Sequence, residues 1–399
     1  MKYVRFKARL KSPLMIHKNR QSNVSQGLPF LPGSSLRGAA AGKLIRSGIK
    51  PEHEVFRSLF IENPVCFPDL VPADNGDSLS RIIPLSNLSC KREPGFKTPE
   101  GDKQGKPSRQ VSHGVADRLA ITAVSRKINA PPPAGELLCP QCRQEMKPIT
   151  GFWNGDTTNP CRIRAAMFFR RHTGIDRTTG TVAASMYYIS QAIADYYKPE
   201  CSNEYKPQYL VGATYMTGEQ LERLKPLIQG ILFAGADRTC GMGELEITLE
   251  EKPAPTFNLD EWNRMFKKKL ARCLDKAAPN ALHQEMMKPT YFSIKMESHT
   301  LLVDRFLRPT ADLQLDFPGV EAAAGISKAH TARGWQSAWG LPKPDDTGLE
   351  MGSVFLFQYT GTELKKLTGY LEELSITGIG LRREEGFGRV QVCDPFHTL

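Results

Sequence analysis

Apolar and basic side chains alternate along the first eleven residues of the chain. The apolar positions are Val4, Phe6, Ala8 and Leu10, and the basic positions between them are Arg5, Lys7, Arg9 and Lys11. A period of two predicts a β-strand with one buried face and one cationic face. Like charges on one face repel each other unless an anion or acidic neighbours lie against them, and we interpret this face as one that faces nucleic-acid phosphates. The alternative is an edge strand whose lysines oppose aggregation.

A longer pattern occurs twice and consists of a strand, an amphipathic helix, a glycine-rich turn and a final strand. The first copy spans residues 209–249 and the second spans residues 353–392. Each half also begins with an alternating strand, at the N-terminus and at YFSIKME near residue 291. Two copies of such a unit predict an α+β protein with two ferredoxin-like (RRM-like) βαββαβ modules.

Residues from about 62 to 165 show neither the alternation of a β-strand nor the apolar spacing of an amphipathic helix. They are rich in Pro, Gly, Ser and charged residues. They predict a loop-rich insertion in the first module. A helix should follow the boundary near residue 252, because Asn258 and Glu261 have the spacing of an N-terminal cap and apolar residues recur at helical spacing after them. The predicted organisation is a first module over residues 1–251, a helical linker over 252–288 and a second module over 289–399.

The chain has 53 Lys and Arg against 42 Asp and Glu, a formal net charge of +11. Such an excess attracts polyanions, so a nucleic acid is the first partner to consider. The sequence contains no run of about 18 apolar residues that would predict a transmembrane helix. Its first residues also lack the apolar core of a signal peptide. We therefore expect a cytoplasmic protein with no membrane partner.

Both copies of the repeat end in a turn that combines glycines with arginine. Glycine lets the backbone approach a phosphate closely, and arginine offers a forked donor to the same anion. Because a strand follows each turn, the pattern counts against a P-loop or a Rossmann fingerprint, which require a helix. A tight hairpin with incidental arginines is the alternative. The residues concerned are Gly235, Arg238, Gly241 and Gly243 in the first turn, and Gly378, Gly380, Arg382, Arg383, Gly386, Gly388 and Arg389 in the second.

The segment PGSSLRG predicts the start of a helix. Pro32 and Gly33 set a turn, and a serine can cap the helix that follows. That helix carries Arg37 and Lys43 beside small residues that would allow RNA or a neighbouring subunit to approach. The alternative is a capped helix packed through its alanines.

The segment RIRAAMFFRRHTGIDRTTGTVAASMYYIS predicts two apolar strands joined by a polar turn. Arg170, Arg171, His172 and Arg177 lie near the tip of this hairpin. A hairpin that carries cations at its tip is suited to a nucleic-acid backbone. The alternative is a surface hairpin in which Asp176 and Arg177 pair with their neighbours.

The chain has nine cysteines, an odd number that favours reduced thiols and metal ligation over disulfides. Cys139 and Cys142 form CPQC, a spacing at which two thiolates can share one tetrahedral Zn²⁺. A second pair of ligands is needed to complete the site. A structural zinc ion would stabilise an insertion that has little core of its own. The alternative is two unligated thiols in a loop.

The doubled glycine-rich turn, the segment LPFLPGSSLRGAAAGKL (Leu28 to Leu44) and the segment HTGIDRTTGT (His172 to Thr181) resemble RAMP-superfamily CRISPR-associated proteins. The resemblance covers nearly the whole chain. It is greatest to the two-module subunit of type III-D effector complexes, in the group that caps the 5′ handle of the crRNA. It implies a structural crRNA-binding subunit in antiviral defence. Its partners would be crRNA, backbone RAMP proteins and the large polymerase-like subunit, with target RNA contacted indirectly.

The resemblance also implies roles for particular residues. It favours Cys90 and His113 as the ligands that complete the zinc site, with Cys161 as the alternative. In the resembled family a β-hairpin of this kind contacts the guide strand. That likeness assigns RNA contacts to His172, Ile175, Asp176 and Arg177.

Catalysis has only weak candidates in this sequence. His17 could act as a general base toward a 2′-hydroxyl, and Asp176 could support cleavage of target RNA. An endoribonuclease that processes precursor crRNA is therefore one alternative function, and a cap that acts through protein contacts alone is another. Tyr3, Phe30 and Phe387 could stack on unpaired bases, although each also suits a core.

Overall fold

The computed structural model describes residues 1–19, 24–74, 78–97, 112–198, 203–277, 280–336 and 339–399. Part of the predicted insertion, residues 98–111, lies outside the described residues. The fold is mixed α+β, with several small sheets and seven α-helices in the described part of the chain.

The strands are, in chain order, β1 (Lys2–Leu10), β2 (His17–Asn19), β3 (Val24–Gly27), β4 (Val71–Ala73), β5 (Arg81–Ile82), β6 (Asn87–Cys90), β7 (Val115–Asp117), β8 (Met146–Lys147), β9 (Phe152–Trp153), β10 (Arg162–Ile163), β11 (Met167–Ile175), β12 (Val182–Ile193), β13 (Tyr196–Tyr197), β14 (Lys206–Pro207), β15 (Tyr209–Met216), β16 (Gly230–Phe233), β17 (Glu244–Lys252), β18 (Thr290–Met296), β19 (Val320–Ile326), β20 (Ala329–Ala332), β21 (Trp335–Gln336), β22 (Leu341–Pro342), β23 (Asp346–Leu349), β24 (Val354–Tyr359) and β25 (Val390–Val392).

The α-helices are α1 (Gly33–Arg46), α2 (Glu54–Arg57), α3 (Leu119–Ile128), α4 (Gly218–Ile228), α5 (Leu259–Ala277), α6 (Asn280–Met287) and α7 (Leu364–Thr377). A π-helical turn (Ser58–Glu62) continues α2, and short 3₁₀ turns occur at Ala134–Leu137, Arg238–Cys240, Arg383–Glu385 and Pro395–Thr398. None of the described helices combines the length and apolar character needed to cross a membrane.

The chain divides into two compact units. Unit 1 consists of Met1–Ser80, Ile163–Ala254 and Glu384–Gly386, and unit 2 consists of Arg81–Arg162, Pro255–Arg383 and Phe387–Leu399. Most of the predicted insertion therefore groups with unit 2, whereas the sequence analysis placed it in the first module. The helix of the predicted linker, α5, also groups with unit 2.

Unit 1 is built on a five-stranded sheet in the order β16-β17-β1-β15-β4, in which every neighbouring pair is antiparallel. The apolar positions predicted for β1 are all buried, and they form one core with the inner faces of α1 and α4. In chain order β1, β4, β15 and β17 are the first to fourth main strands, so the sheet has the order 4-1-3-2. This order is consistent with a ferredoxin-like module.

The cationic side of β1 has acidic and aromatic neighbours from the adjacent strands. Arg5 forms an ion pair with Glu250 of β17 at 2.5 Å, and the register places Arg9 opposite Glu246. The ammonium of Lys7 lies 4.9 Å from the ring centre of Tyr209 on β15. These cations therefore have partners within unit 1, and contact with phosphates stays a prediction. The alternative of an edge strand is wrong, because β1 lies between β17 and β15 in the sheet.

Unit 2 contains a four-stranded antiparallel sheet in the order β19-β24-β18-β25. Its first to fourth strands, β18, β19, β24 and β25, again have the order 4-1-3-2. Residues 297–319, all of which are described, form no helix between the first and second strands. Instead α3 packs against β19 and α5, and α5 packs against β18. Two helices that precede the sheet in sequence therefore complete its core.

The helix predicted after residue 252 is α5. The backbone N–H of Glu261 donates to Asn258 Oδ1 at 3.0 Å, as the predicted cap requires. Its apolar stripe is buried in the core of unit 2; the buried residues are Leu259, Trp262, Phe266, Leu270 and Leu274. The spacing of apolar residues in the sequence therefore predicted the location of this helix correctly.

A buried ionic cluster anchors the C-terminal segment of unit 2. Lys295 on β18 is fully buried and forms ion pairs with Asp394 and, at 2.7 Å, with Glu297. Its ammonium also donates to the carbonyl of Ile82 at 2.9 Å. Asp394 is itself fully buried and accepts from the backbone N–H of Phe396 at 2.8 Å. Breaking this cluster would leave a buried charge without its partner.

We expect Lys295→Met to lower the free energy of unfolding of unit 2 by about 3–5 kcal/mol, because Asp394 would remain buried after losing the ammonium group that pairs with it. Lys328→Met is the matched control. Lys328 pairs with Glu350 at 2.6 Å on the surface, so its loss should cost about 1 kcal/mol or less. Urea denaturation of both variants measures the difference, and equal losses would contradict a special role for the cluster.

The same cluster predicts an acid dependence. Burial by itself would raise the pKa of Asp394, but the charge of Lys295 holds that pKa below its usual value. A carboxyl with a lowered pKa stabilises the fold above its unfolded pKa of about 3.9, and the contribution disappears as the pH falls through the folded pKa. The stability difference between wild type and Asp394→Asn should therefore shrink as the pH drops below about 4. Urea titrations at several pH values would disprove this if the difference stayed constant.

Candidate metal centre and nucleic-acid interface

Four potential metal ligands converge at one small sheet of unit 2. The sheet has the order β7-β6-β8. Cys90 is the last residue of β6, His113 lies just before β7, and Cys139 and Cys142 lie in the turn that leads into β8. Antiparallel pairing of β6 with both neighbours therefore brings ligands that are far apart in sequence to one end of the sheet.

The ligand atoms of these four residues all lie within 4.8 Å of one another. Cys90 Sγ is 3.5 Å from Cys142 Sγ, and Cys139 Sγ is 3.4 Å from His113 Nδ1. A tetrahedral zinc site with Zn–S bonds of about 2.3 Å has edges of about 3.8 Å. Three thiols and one imidazole at this spacing suit a closed tetrahedral site, so the cluster could hold a metal ion.

The CPQC turn has the backbone geometry of a metal knuckle. The N–H of Cys139 donates to the carbonyl of Gln144 at 2.8 Å, and the N–H of Arg143 donates to the carbonyl of Cys139 at 2.9 Å. Arg143 has a φ of 57°, in the left-handed region. The turn therefore folds back tightly enough to direct both thiols toward the same point.

The environment favours the thiolate form of two of these cysteines. Burial would raise the pKa of Cys139, but backbone N–H groups of Cys142 and Gln141, together with the side chains of Cys142 and His113, lower it to about 6. A backbone hydrogen bond from Glu93 is the largest effect that lowers the pKa of Cys90. Because a metal binds the thiolate, these two shifts favour ligation by Cys139 and Cys90. The other two ligands shift the opposite way: a backbone N–H of Gln144 lowers the pKa of Cys142, but burial and hydrogen bonds with Cys90 and Cys139 raise it overall, and the hydrogen bond with Cys90 raises the pKa of His113.

The structure thus assembles Cys90, His113, Cys139 and Cys142, the four residues that the resemblance favoured. Cys161, the alternative ligand, is exposed and is not part of the cluster. The identity of the ion as Zn²⁺ stays a prediction.

The predicted cationic hairpin of unit 1 is formed by β11 and β12, which pair antiparallel with His172 opposite Tyr188. Between Met167 and Ile193 it has three arginines and one aspartate, a net charge of +2. Several of its aromatic side chains are exposed, with Phe169 at 60% and Tyr188 at 48%. Arginines and exposed rings together are suited to the phosphates and bases of unpaired RNA.

Neighbouring strands extend this hairpin into the four-stranded sheet β11-β12-β3-β2. The rings of His172 and Tyr188 are stacked, with centroids 4.4 Å apart and planes inclined by 5°. His172 Nε2 lies 3.3 Å from Ser190 Oγ, and His17 Nδ1 lies 2.7 Å from Ser25 Oγ. Both histidines therefore have hydroxyl partners within this sheet.

Asp176 shapes the tip of the hairpin. Its Oδ1 accepts from the backbone N–H of Thr178 at 2.7 Å and from that of Thr179 at 3.1 Å. The first of these bonds is the main cause that lowers the pKa of Asp176. The carboxylate is thus ionised and engaged in its own turn, while Arg177 and Ile175 beside it are exposed.

The first glycine-rich turn lies beside this hairpin. Arg170 Nη1 donates to the carbonyl of Cys240 in the turn at 3.2 Å. Gly243 has a φ of 85°, and a Cβ there would collide with the carbonyl of Ala234. Arg238 and Gly241 are exposed. The hairpin and the turn therefore form one surface of unit 1, which we call the hairpin surface.

Two other predicted RNA contacts have partners inside unit 1. Arg37 Nη2 donates to the carbonyl of Phe60 at 2.7 Å and its guanidinium lies over the Phe60 ring. Lys43 Nζ donates to the carbonyl of Gln229, just after α4, at 3.2 Å. These cations tie α1 to the neighbouring helices.

The second glycine-rich turn is likewise engaged within the chain. Arg382 forms an ion pair with Asp346 at 2.6 Å and covers the ring of Phe387, while Arg383 Nη1 donates to the carbonyl of Thr377 at 3.1 Å. Gly378, Gly380 and Gly388 all have positive φ and closely approach backbone carbonyls. Arg389 is half-buried, with its backbone N–H donating to Ser298 Oγ.

One part of this turn packs within unit 1. A Cβ on Gly386 would lie 2.8 Å from the carbonyl oxygen of Phe67 and 3.1 Å from the Cα of Gly33. The N–H of Gly33 donates to Asp69 Oδ1 at 2.7 Å at the same place. Gly386 is therefore needed here for close packing at the start of α1.

Among the proposed stacking residues, Tyr3 and Phe30 are buried. The exposed rings of the hairpin, Phe168, Phe169, Tyr187 and Tyr188, were not singled out from the sequence. The sequence did contain a signal for these exposed rings, because two adjacent aromatic residues in a strand place one ring on each face. A strand with rings on both faces and no covering helix exposes at least one of them.

No protein-family model matches this chain, and no curated protein matches it. Among solved structures, one chain of type III-B Cmr-beta bound to cognate target RNA and AMPPnP is 13% identical, with 93% of each chain covered and a TM-score of 0.38. A chain of type III-B Cmr-beta bound to cognate target RNA is also 13% identical, with 93% and 94% covered and a TM-score of 0.37. A Cas6 product complex is 12% identical over 48% of this chain and 79% of the other, with a TM-score of 0.28.

We expect Cys139→Ser to abolish stoichiometric zinc retention and to lower the melting temperature, because three ligands hold the ion less tightly and metal binding contributes to folding. Cys161→Ser is the control and should retain both properties. Elemental analysis and thermal denaturation of the purified proteins provide the measurements. Zinc retained by Cys139→Ser, or lost from Cys161→Ser, would contradict the assignment.

Proposed function

We propose that this chain is an RNA-binding structural subunit of a type III CRISPR effector complex, of the RAMP superfamily. The observation that carries the proposal is the hairpin surface of unit 1. It combines exposed aromatic rings with Arg170, Arg171, Arg177 and Arg238 beside a glycine-rich turn. This is the chemistry that binds unpaired bases by stacking and phosphates by ion pairing.

The strand order of the two sheets supports two RAMP modules. Each sheet has the order 4-1-3-2, and each has a hairpin inserted between its second and third strands, β11–β12 in unit 1 and β20–β23 in unit 2. We include in the proposal two complete ferredoxin-like modules, with the zinc-binding segment packed in unit 2. A cytoplasmic location is part of the same proposal.

The ligand we propose is crRNA, held at its 5′ repeat-derived handle as in the type III-D group that the sequence resembles. Backbone RAMP proteins and the large polymerase-like subunit would be the protein partners. We propose Zn²⁺ as the structural ion of the Cys₃His cluster. Of the cations predicted to bind RNA, Arg177 and Arg238 on the hairpin surface are exposed, whereas Arg37, Lys43 and Arg382 bind groups of the chain itself. Arg170 is also exposed, although one of its N–H groups donates to the carbonyl of Cys240. We therefore assign the RNA contact to the hairpin surface.

Arg170→Ala with Arg171→Ala should weaken binding of single-stranded RNA and reduce its salt dependence. Each lost phosphate contact removes about 0.7 from the slope of log K against log salt. The control pair is Arg264→Ala with Arg272→Ala on the exposed side of α5, which removes the same charge from unit 2. Fluorescence anisotropy across a salt series measures both slopes. Equal effects of the two pairs would show that only net charge matters.

RNA that copurifies with the protein from its host identifies the ligand. Recovered crRNAs that share one 5′ end, and that are lost with the Arg170 and Arg171 variant, are the expected result. Random RNA would reject guide binding, and absence of RNA together with retained partner proteins would favour a protein-only cap.

A further inference from the structure

A second hairpin lies in unit 2, at the position in the strand order where unit 1 has the hairpin of β11 and β12. Its strands β20 and β23 pair antiparallel, and nearer its tip β21 pairs with β22. The two hairpins differ in charge, because the one in unit 2 has as many acidic as basic residues. Its charged residues are Lys328, Arg333, Lys343, Asp345, Asp346 and Glu350. A polyanion is therefore attracted less strongly to this hairpin than to the one in unit 1.

Carboxylates of unit 2 pair with cations at this hairpin. Arg333 Nε lies 3.2 Å from Asp345 Oδ2. Arg382, from the second glycine-rich turn, pairs with Asp346 at 2.6 Å. Phosphates would have to compete with carboxylates of the chain itself for both guanidinium groups.

The tip of this hairpin is apolar. Trp335, Trp339 and Leu341 are exposed, Trp339 at 77%. Isolated apolar side chains are common on protein surfaces, but a cluster of large ones marks an interaction site. The tip is therefore suited to a partner that covers it.

A neighbouring turn carries two more exposed apolar side chains, Phe306 and Leu307. Thr300 pairs antiparallel with Leu349, the last residue of β23. The residues that follow Thr300 therefore run alongside β23 toward the tip of the hairpin. The turn and the two tryptophans thus lie at the same end of unit 2.

Asp304 fixes the shape of this turn. Its Oδ1 accepts from the backbone N–H groups of Phe306 at 2.8 Å and Arg308 at 3.0 Å, and its Oδ2 pairs with the Arg308 guanidinium at 2.7 Å. Leu307 has a φ of 61°, in the left-handed region that leucine rarely adopts, and its side chain is 78% exposed. Strain that displays an apolar side chain to solvent is expected where a partner covers that side chain.

We propose that this end of unit 2 docks into an apolar pocket of a partner protein, lined by uncharged side chains. We call it the tip surface, and it consists of Phe306, Leu307, Trp335, Trp339 and Leu341. Tryptophan and other large side chains that fill a pocket supply most of the binding energy of a protein interface. The fixed turn reduces the entropy that is lost on binding.

The contacts of Phe306 disfavour unpaired RNA as the ligand. The guanidinium carbons of Arg305 and Arg308 lie 4.8 Å and 5.0 Å from the centre of its ring. They occupy space in which a base would stack. Single-stranded nucleic acids bind to cationic grooves, whereas the hairpin beside this turn has no net charge. A protein is therefore the partner that fits the tip surface.

The inference rests on the proposed function, because it takes the partner from the proteins that assemble with this chain. p-Benzoylphenylalanine in place of Trp339 provides a photocrosslinker at the tip. The tagged protein is purified from its host with its complex, irradiated and analysed by mass spectrometry. The expected product is a crosslink to an apolar segment of one other protein. The control carries the same group in place of Tyr205, an exposed residue of unit 1, and should not label that segment.

The crosslinked partner is then purified, and its affinity for this chain is measured by calorimetry without RNA. Trp335→Ser with Leu341→Ser should bind it roughly thirtyfold more weakly than wild type does. The matched control is Leu364→Ser, which should bind as wild type does. Leu364 is an exposed leucine at the start of α7, beyond the end of β24 that is remote from the hairpin. Melting temperatures show whether each variant is folded.

A crosslink to RNA, to lipid, to a second copy of this chain or to no other protein overturns the inference, and so do equal affinities of the double variant and Leu364→Ser. Arg170→Ala with Arg171→Ala separates the inference from the proposed function, because it should weaken RNA binding and leave the affinity for the partner unchanged. Absence of RNA binding by wild type, with the affinity for the partner retained, rejects the proposed RNA-binding function alone.

Discussion

The apolar face of the second sheet must be covered, and no helix between its first two strands is present to cover it. In a 4-1-3-2 sheet two helices normally share this task, and in unit 2 only α7 follows the third strand in the expected place. The remaining surface is covered by α3 and α5, both of which precede β18 in sequence. Burial of apolar area is the dominant favourable term in folding, so residues 81–162 are drawn into unit 2.

The need to cover the second sheet also determines where the candidate metal ligands lie. α3 lies between His113 and Cys139 in sequence, so its packing on the sheet fixes where these two ligands emerge. The small sheet of β6, β7 and β8 has short strands and little core, and a bound ion would provide the cross-link that packing does not. The buried cluster of Lys295 and Asp394 anchors the C-terminal segment of the same unit.

Only some of the basic side chains of this chain are exposed and without a role in the fold. Arg5, Arg37 and Arg382 bind a carboxylate, a carbonyl and a carboxylate of their own chain, so they contribute to the fold. The hairpin surface keeps exposed arginines beside exposed aromatic rings. Net charge by itself therefore does not tell how many cations remain exposed, and the local environment of each cation separates the exposed residues from those used in packing.

The sequence by itself determined the features that depend on short-range physics. Alternation specified β1, helical spacing and the Asn258 cap specified α5, and the CPQC spacing specified half of the metal site. Resemblance to a known family, not spacing, added Cys90 and His113. Only the tertiary structure decided that the insertion packs with unit 2, which arginines are engaged internally, and that Phe306 and Leu307 lie at the same end of unit 2 as the tip of its hairpin. The physical reason is that these outcomes depend on partners distant in the chain, such as Glu250 for Arg5, 245 residues away, whose approach no local pattern records.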